Sequence, residues 1–233
     1  YWFDAVKEFH LNKAVDPKTG YRRPTVMNMS WGYKTYISSN VTNIMFRGTT
    51  TNTTTRNRSY GFWGGYYNGS YRLNCPIYGF ESEMEELHEA GVIACKSGGN
   101  QYQKLATSDD LDYNNYCTKS TTEGNISAGS PLYYNRGSSN RSDDTIIVGN
   151  MDSGLYSSSE ATQTASEKGP RVDVWAAGTD VVSGGNSSNT TYLNYTGTSM
   201  SSPQVAGMCA LLVQMNPGMT PAQVRQWIIN NAK

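Results

Sequence analysis

The sequence predicts an α/β fold of three layers, in which a mostly parallel sheet carries helices on both faces. Short, wholly apolar runs alternate with helical patterns, as expected for strands that are buried on both faces. The 233 residues suffice for one domain with a sizeable core, and no repeat or clear linker divides them. Two stretches without sustained periodicity, roughly 33–80 and 102–142, are predicted to be long loop insertions in a single domain, 1–233.

Each predicted element follows from a local pattern. Four strands are expected where short apolar runs occur, at 25–30, 92–95, 146–149 and 172–176. Four helices are expected from apolar residues at helical spacing, at 1–12, 82–90, 203–215 and from Pro221 onward. The first helix has no capping residue, so we expect sequence upstream of it in the parent protein or in a partner chain. The helix at 203–215 is apolar nearly all round and is expected to be central, and Thr220 to Gln223 form a capping box.

Composition excludes several classes of function. Lys plus Arg equals Asp plus Glu, 19 against 19, so net charge gives no reason to bind nucleic acid or an anionic membrane. No apolar run approaches the roughly 18 residues of a membrane span, and the start does not look like a signal peptide. Cys95 and Cys209 lie in apolar runs and are expected to be buried thiols. Cys75 and Cys117 lie in loop-like segments, where either thiols or a disulfide would fit.

The segment from Tyr195 to Gly207 carries the chemical signal. Ser199 lies at the mouth of a predicted helix, where the free N–H groups and the helix dipole favour a developing negative charge. A serine there is equally well explained as an ordinary helix cap, and spacing alone does not separate the two interpretations. Asn100, after Gly98 and Gly99, is by itself typical of a turn.

The run Gly197-Thr198-Ser199-Met200-Ser201-Ser202-Pro203-Gln204-Val205-Ala206-Gly207 closely resembles the nucleophile motif of the subtilisin-like serine proteases, the subtilases. In that family the motif reads Gly-Thr-Ser-Met-Ala-x-Pro-His-Val-Ala-Gly. Other segments resemble the family in the same order along the chain: 26–32, 91–100, 146–153 and 172–178. The resemblance therefore covers most of the chain outside the two insertions and implies the subtilisin-like fold.

The resemblance implies a serine endopeptidase that hydrolyses peptide bonds through an acyl-enzyme on Ser199. The side chain of Asn100 and the backbone N–H of Ser199 would form the oxyanion hole. Two further sets of residues are implied to bind a polypeptide substrate. One set, which would pair with the substrate backbone, is Ser30, Trp31 and Gly32; the other, which would border the pocket for the side chain before the cut, is Ser97, Gly98 and Gly99.

The sequence also departs from the family. Gln204, Ala177 and Ser201 replace a His, a Pro and an Ala, changes that we expect to be tolerated. The family's Asp-Thr/Ser-Gly and His-Gly-Thr-His motifs are absent, and His10 and His88 are expected to be surface or packed helical residues. Without a base a serine hydroxyl is a poor nucleophile. We therefore expect this chain alone to be inactive, with the Asp and His upstream or on a partner chain.

The alternative is a catalytically inactive subtilase fold that serves as a structural or binding component of a larger assembly. Secretion, an extracellular site or association with a virus particle is favoured for either function. No cofactor is required, although calcium could act as a structural ion. Acidic residues that could help to bind it, but that are more simply solvated, are Asp109, Asp110, Asp112, Asp143 and Asp144. The aromatic run 62–67 could be a contact surface or could pack on its own loop.

Overall fold

The computed structural model describes residues 2–32, 35–37, 41–51, 60–61, 66–67, 70–73, 75–122, 127–136, 143–152, 161–162 and 164–232. The helices of this part are α1 (Trp2–Leu11), α2 (Tyr78–Glu89), α3 (Thr198–Met215) and α4 (Pro221–Asn231). The strands are β1 (Thr25–Met29), β2 (Thr35–Ile37), β3 (Val41–Phe46), β4 (Thr49–Thr51), β5 (Tyr66–Tyr67), β6 (Ser70–Leu73), β7 (Val92–Ser97), β8 (Tyr116–Lys119), β9 (Leu132–Tyr133), β10 (Ile146–Asp152), β11 (Ala161–Thr162), β12 (Val174–Ala177), β13 (Val181–Gly184) and β14 (Tyr192–Tyr195).

The central sheet is mostly parallel, as predicted. Its strands run in the order β1, β7, β10, and both β12 and the antiparallel β11 pair with β10. In the parallel register, Thr25 lies opposite Val92 and Cys95 lies opposite Ile146. The carboxyl ends of β1 and β7 therefore meet at one edge of the sheet, where the loops that carry functional residues are expected.

Helices cover both faces of the sheet, which gives the three predicted layers. Side chains alternate along β7: Val92 and Ala94 face α1 and α2, whereas Ile93 and Cys95 face α3 and α4. This alternation explains why a strand buried on both faces is apolar throughout. The capping box of α4 is present, because Gln223 N–H donates to Thr220 Oγ1 and Thr220 N–H donates to Gln223 Oε1.

Helix α3 corrects one expectation. It begins at Thr198 rather than at Pro203, and it is central on one side only. Val205, Cys209 and Leu212 are buried against the sheet, but a second apolar stripe is exposed. The residues of that stripe, at helical spacing, are Met208, Leu211 and Met215. Among the residues that the structure describes, no helix combines the length and the apolar character needed to cross a membrane.

The two segments interpreted as loop insertions are not loops throughout. Strands β3 and β4 of the first pair with β8 and β9 of the second in an antiparallel sheet, which together with its packed side chains we call the insertion lobe. Its small core includes Val41, Ile44, Leu132 and Tyr134. These strands are difficult to predict from the sequence, because they are short and their partners lie far apart in the chain. The first segment also ends earlier than expected, because α2 begins at Tyr78.

All four cysteines, which lie in the described part of the chain, are buried thiols. Cys75 and Cys117 share the core of the insertion lobe, and the disulfide that the sequence left open between them is not formed in this structure. Cys95 and Cys209 pack together between the sheet and α3, with their Sγ atoms 3.7 Å apart. Their burial agrees with the expectation from the apolar runs around them.

Candidate active site

A cleft of about 200 Å³ lies beyond the carboxyl ends of β1 and β7, at the start of α3. All eight residues singled out from the sequence line it. They are Ser30, Trp31, Gly32, Ser97, Gly98, Gly99, Asn100 and Ser199. The fold therefore brings together residues that the sequence separates by up to 169 positions.

Ser199 is the second residue of α3, and it is fixed to the cleft wall by a reciprocal pair of hydrogen bonds. Its Oγ donates to the carbonyl of Ser30 (3.1 Å), and Ser30 Oγ donates to the carbonyl of Ser199 (2.7 Å). In a regular helix the N–H of residue 203 would bond to the Ser199 carbonyl, but Pro203 has no N–H. The proline thus leaves that carbonyl available to Ser30.

A second connection joins α3 to β1. Ser202 Oγ donates to Asn28 Oδ1 (2.8 Å), and Asn28 Nδ2 donates to Ser30 Oγ (3.0 Å). This chain of hydrogen bonds runs from the helix through the strand and back to Ser199. It holds Ser199 and the strand beside it in one orientation.

Asn100 is oriented by Thr198, the residue that precedes Ser199. Both the backbone N–H and the hydroxyl of Thr198 donate to Asn100 Oδ1, at 2.9 and 3.1 Å. These donors identify that atom as the carboxamide oxygen, so the NH₂ group is left to donate elsewhere. Gly197 completes the arrangement, since a Cβ there would lie only 3.1 Å from Asn100 Nδ2.

The cleft walls use small residues where backbone must approach backbone. Gly98 N–H bonds to the Val148 carbonyl (2.9 Å), and a Cβ on Gly98 would lie 3.2 Å from that oxygen. Trp31, half exposed at the opposite wall, is supported by ring contacts with Phe3 and Phe80. Its indole is therefore a fixed part of the wall.

Sequence reasoning missed three residues of this cleft: Lys96, Gln101 and Thr198. Thr198 stands inside the quoted motif, so its position beside the serine was an available signal. Lys96 lies in a strand buried on both faces, with its Nζ bonded to the Ser97 carbonyl (3.1 Å), and no pattern in the sequence marks it.

Neither histidine reaches the cleft, as expected for packed helical residues. His10 Nδ1 bonds to Thr25 Oγ1 (2.9 Å), and His88 bonds through both ring nitrogens to the Val92 carbonyl and to Thr145 Oγ1. Thr25, Val92 and Thr145 stand at the amino ends of strands, opposite to Ser199. Burial lowers the pKa of both imidazoles. Among the described residues that line the cleft, none is a histidine, an aspartate or a glutamate.

Of the acidic residues considered for calcium, Asp110 and Asp112 are paired with cationic side chains. Asp112 is bound by Arg47 and Lys104, and Asp110 is bound by the same lysine. Asp143 and Asp144 lie elsewhere, at a cavity that also contains His10. In the described ranges no three residues among His, Cys, Asp and Glu are grouped so that they could hold a metal ion.

Comparison with known proteins agrees with this geometry. The model of the subtilase family matches residues 10–233. The chain belongs to the subtilase family. Its fold is also similar to a crystal structure of a cold-adapted subtilisin-like serine proteinase, with a TM-score of 0.52 and 20% identity. That match covers 98% of this chain and 52% of the other.

Curated relatives of this subtilase are proteases. It is 39% identical over 84 residues to the alkaline extracellular protease of Yarrowia lipolytica, which covers 36% of this chain and 18% of that protein. It is 27% identical over 159 residues to the serine protease AprX of Bacillus subtilis, covering 63% and 31%. The chain therefore spans less than a third of the length of either relative.

One departure from the family motif, at Gln204, can be described by its contacts. Gln204 stands where the family has a histidine, and its Nε2 donates to the carbonyls of Ala177 and Met200. A neutral amide thus ties the first turn of α3 to the end of β12. The substitution keeps a hydrogen-bond donor at this position.

Proposed function

We propose that this chain is the nucleophile-bearing part of a serine endopeptidase. The observation that carries the proposal is the placement of Ser199 and Asn100 in one cleft, with Thr198 holding the Asn100 carboxamide so that its NH₂ group remains available. A developing oxyanion needs such a donor beside the attacking hydroxyl. The family and the protease relatives support the same reaction class.

In the proposed reaction Ser199 Oγ gives its proton to a base and attacks the scissile carbonyl. The peptide C–N bond then breaks, the amine product leaves with that proton, and an acyl-enzyme remains. Asn100 Nδ2 and the Ser199 N–H donate to the oxygen that becomes negative, and the amino end of α3 adds its dipole. The exposed backbone from Ser30 to Gly32 would pair with the substrate as an added strand, while 97–99 border the preceding side chain. Water then hydrolyses the ester and regenerates Ser199.

The proton of Ser199 requires a base that the described cleft residues do not supply. We infer that an Asp and a His come from a segment of the parent protein outside this sequence. Two observations support a place for that segment. Within the described residues β1 pairs with β7 alone, so its other edge is open, and α3 exposes Met208, Leu211 and Met215 nearby.

These two features suit a strand followed by an amphipathic helix. A groove of about 660 Å³ between α3 and β1, lined in part by Val26, Ala210 and Val213, connects the open strand edge to the helix. The subtilisin-like structure of similar fold has nearly half of its length outside the match, enough for such a segment. The histidine that accepts the proton of Ser199 must lie within hydrogen-bond reach of its Oγ, so the segment must also extend along α3 to the cleft.

The full-length gene product tests the proposal. A biotinylated fluorophosphonate is expected to label Ser199, identified by mass spectrometry of the tryptic peptide, and Ser199→Ala is expected to abolish both labelling and cleavage of casein. Ser187→Ala, at an exposed serine away from the cleft, serves as the matched control and should keep both. The 233-residue chain alone should give no measurable labelling, because its serine lacks a base. Proteolysis that survives Ser199→Ala would refute the proposal.

The second candidate is an inactive subtilase fold that acts as a structural or binding component. It is favoured by the absence of His, Asp and Glu among the described cleft residues and by the large insertion lobe. The coding sequence upstream of Tyr1 separates the two. Asp-Thr-Gly and His-Gly-Thr-His motifs there would support the enzyme, and an open frame without them would support the scaffold. For either, an extracellular location is supported by relatives named extracellular proteases.

A further inference from the structure

A second cavity, of about 560 Å³, lies where the insertion lobe meets the segment that follows Asn100. We call it the junction cavity. The lobe contributes Arg47 and Asn135 to its lining, the segment that follows Asn100 contributes Tyr102 and Lys104, and the loop before β12 contributes Lys168. Tyr102 is two residues beyond Asn100 in the chain. The junction cavity is therefore next to the catalytic cleft and is built partly from segments outside the family resemblance.

Unusual backbone conformations are concentrated at this cavity. Arg47, Tyr102 and Asn135 have positive φ angles of 48°, 60° and 70°, and only one further non-glycine residue in the described part of the chain does so. Hydrogen bonds hold these conformations: Arg47 N–H bonds to Asn115 Oδ1, and Tyr102 N–H bonds to the Ala165 carbonyl. Backbone strain of this kind persists where the surroundings fix it, and it clusters at binding sites.

The charges around the cavity leave one cation available. A parallel β-bridge sets Lys104 beside Lys168, so that the two side chains share a face. The Lys104 ammonium is bound by Asp110 and Asp112, and Asp112 also accepts two hydrogen bonds from Arg47. Lys168 is exposed, and within the described ranges its ammonium has no carboxylate partner. Two adjacent lysines with one of them unneutralised favour an anion at this position.

A buried amide adds a second polar requirement. Asn135 is only 1% exposed, and its Oδ1 has no hydrogen-bond partner in the structure. An unsatisfied buried acceptor costs free energy that an incoming N–H would recover. The half-exposed ring of Tyr102 and the side chain of Phe46 provide apolar surface beside it. A peptide can supply all three of the groups that these residues favour, a carboxylate, an N–H donor and apolar parts.

We propose that the junction cavity binds a carboxylate of a polypeptide, from an acidic side chain or from a chain terminus. Lys168 pairs with the carboxylate, and Asn135 accepts a hydrogen bond from a peptide N–H. This inference rests on the proposed function, since the polypeptide is then a substrate that extends beyond the cleft. The junction cavity would give the protein a preference for polypeptides with a carboxylate at this site, which the cleft residues do not explain.

Three synthetic peptides test the proposal by isothermal titration calorimetry. The first, acetyl-Gly-Glu-Phe-Gly-amide, offers an acidic side chain; the second, acetyl-Gly-Gln-Phe-Gly-amide, is its neutral match; the third, acetyl-Gly-Gln-Phe-Gly with a free carboxyl end, offers a terminus. At least one of the two charged peptides is expected to bind about tenfold more tightly than the neutral one, the size of one charged hydrogen bond. Which of them binds identifies the source of the carboxylate.

The variants assign that preference to the cavity. Lys168→Gln should reduce it to less than twofold, and Lys18→Gln, at an exposed lysine in a distant turn, should leave it intact. Circular dichroism checks that both variants keep the fold, which their surface positions favour. Equal binding of all three peptides, or a preference that survives Lys168→Gln, would overturn the proposal.

The titrations also separate this inference from the proposed function. They use the 233-residue chain with Ser199→Ala, which binds peptide without any cleavage. A charged-peptide preference in that variant supports the cavity even if the full-length protein fails to react with fluorophosphonate. Conversely, labelled Ser199 without a charged-peptide preference supports the peptidase and rejects the cavity.

Discussion

Replacing Thr198 by valine tests how Asn100, the proposed oxyanion donor, is positioned. The side chain of Thr198 is fully buried, and its hydroxyl donates to Asn100 Oδ1 (3.1 Å) while accepting from Gly99 N–H (3.1 Å). Valine keeps the shape and the backbone bond to Asn100 but removes both hydroxyl bonds. Asn100 is then held by one donor instead of two.

Two magnitudes follow from these contacts. A single hydrogen bond contributes about 1 kcal/mol net and an unsatisfied buried N–H costs about 1–3 kcal/mol, so we expect the free energy of unfolding to fall by about 2 kcal/mol. Loss of the whole oxyanion donor costs about 10²–10³ in kcat, a magnitude measured in subtilisin, a relative of this chain. A donor that is loosened but retained should cost about tenfold in kcat, with KM unchanged, because it acts on the transition state.

Urea unfolding of the 233-residue chain measures the first effect, and steady-state kinetics of the full-length protein measure the second. Thr198→Ser, which keeps the hydroxyl, should restore kcat to within about twofold of the original, since both hydroxyl bonds can re-form. If the valine variant turned over as fast as the original, or if the serine variant were equally slow, Thr198 would not position Asn100.

Two further predictions concern stability. The side chain of Asp173 is buried and bound by Arg171 (2.7 Å) and Arg225 (2.6 Å), so Asp173→Asn should lower the free energy of unfolding in urea by about 3–5 kcal/mol. The control Asp180→Asn, at an exposed turn, should change that free energy by less than about 0.5 kcal/mol. A loss below about 1 kcal/mol in Asp173→Asn would contradict this account. The hydrogen-bonded guanidinium of Arg47 holds the pKa of Asp112 well below its usual value, so the ionised carboxylate stabilises the fold above the unfolded pKa of about 3.9 and this stabilisation is lost as pH falls further. The urea midpoint should therefore decline at acidic pH, beginning below about pH 5, and should decline less in Asp112→Asn. Equal declines in both proteins would show that Asp112 is not responsible.

The sequence was informative where a signal was local or long. Four buried strands and four helices were expected near their observed places, because a strand covered on both faces is apolar throughout and a helix repeats every 3.6 residues. The eight site residues were found through one long motif and two shorter segments, and they line one cleft. Helix α3 shows the limit of such patterns: its composition is apolar all round, yet one stripe of it is exposed.

The insertion lobe could not be predicted from the sequence, and the reason is physical. Val41 and Ile44 in β3 face Cys117 and Leu132 in a shared core, but each strand is too short to display a period. Pairing between strands some 75 positions apart depends on the loops between them closing, which no local pattern records. The same applies to the junction cavity, whose lining comes from six separate stretches of chain.

By itself, the sequence determined that a serine stands at the mouth of a helix, that an asparagine follows a buried strand, and that no histidine motif accompanies them. Those facts depend on neighbours within a few positions. Only the tertiary structure decided that Thr198 binds the carboxamide oxygen of the asparagine, that both histidines lie at the far end of the sheet, and that two polar insertions fold into one lobe. Such outcomes depend on which segments, distant in sequence, bury apolar surface against one another, and the packing of the whole chain determines that.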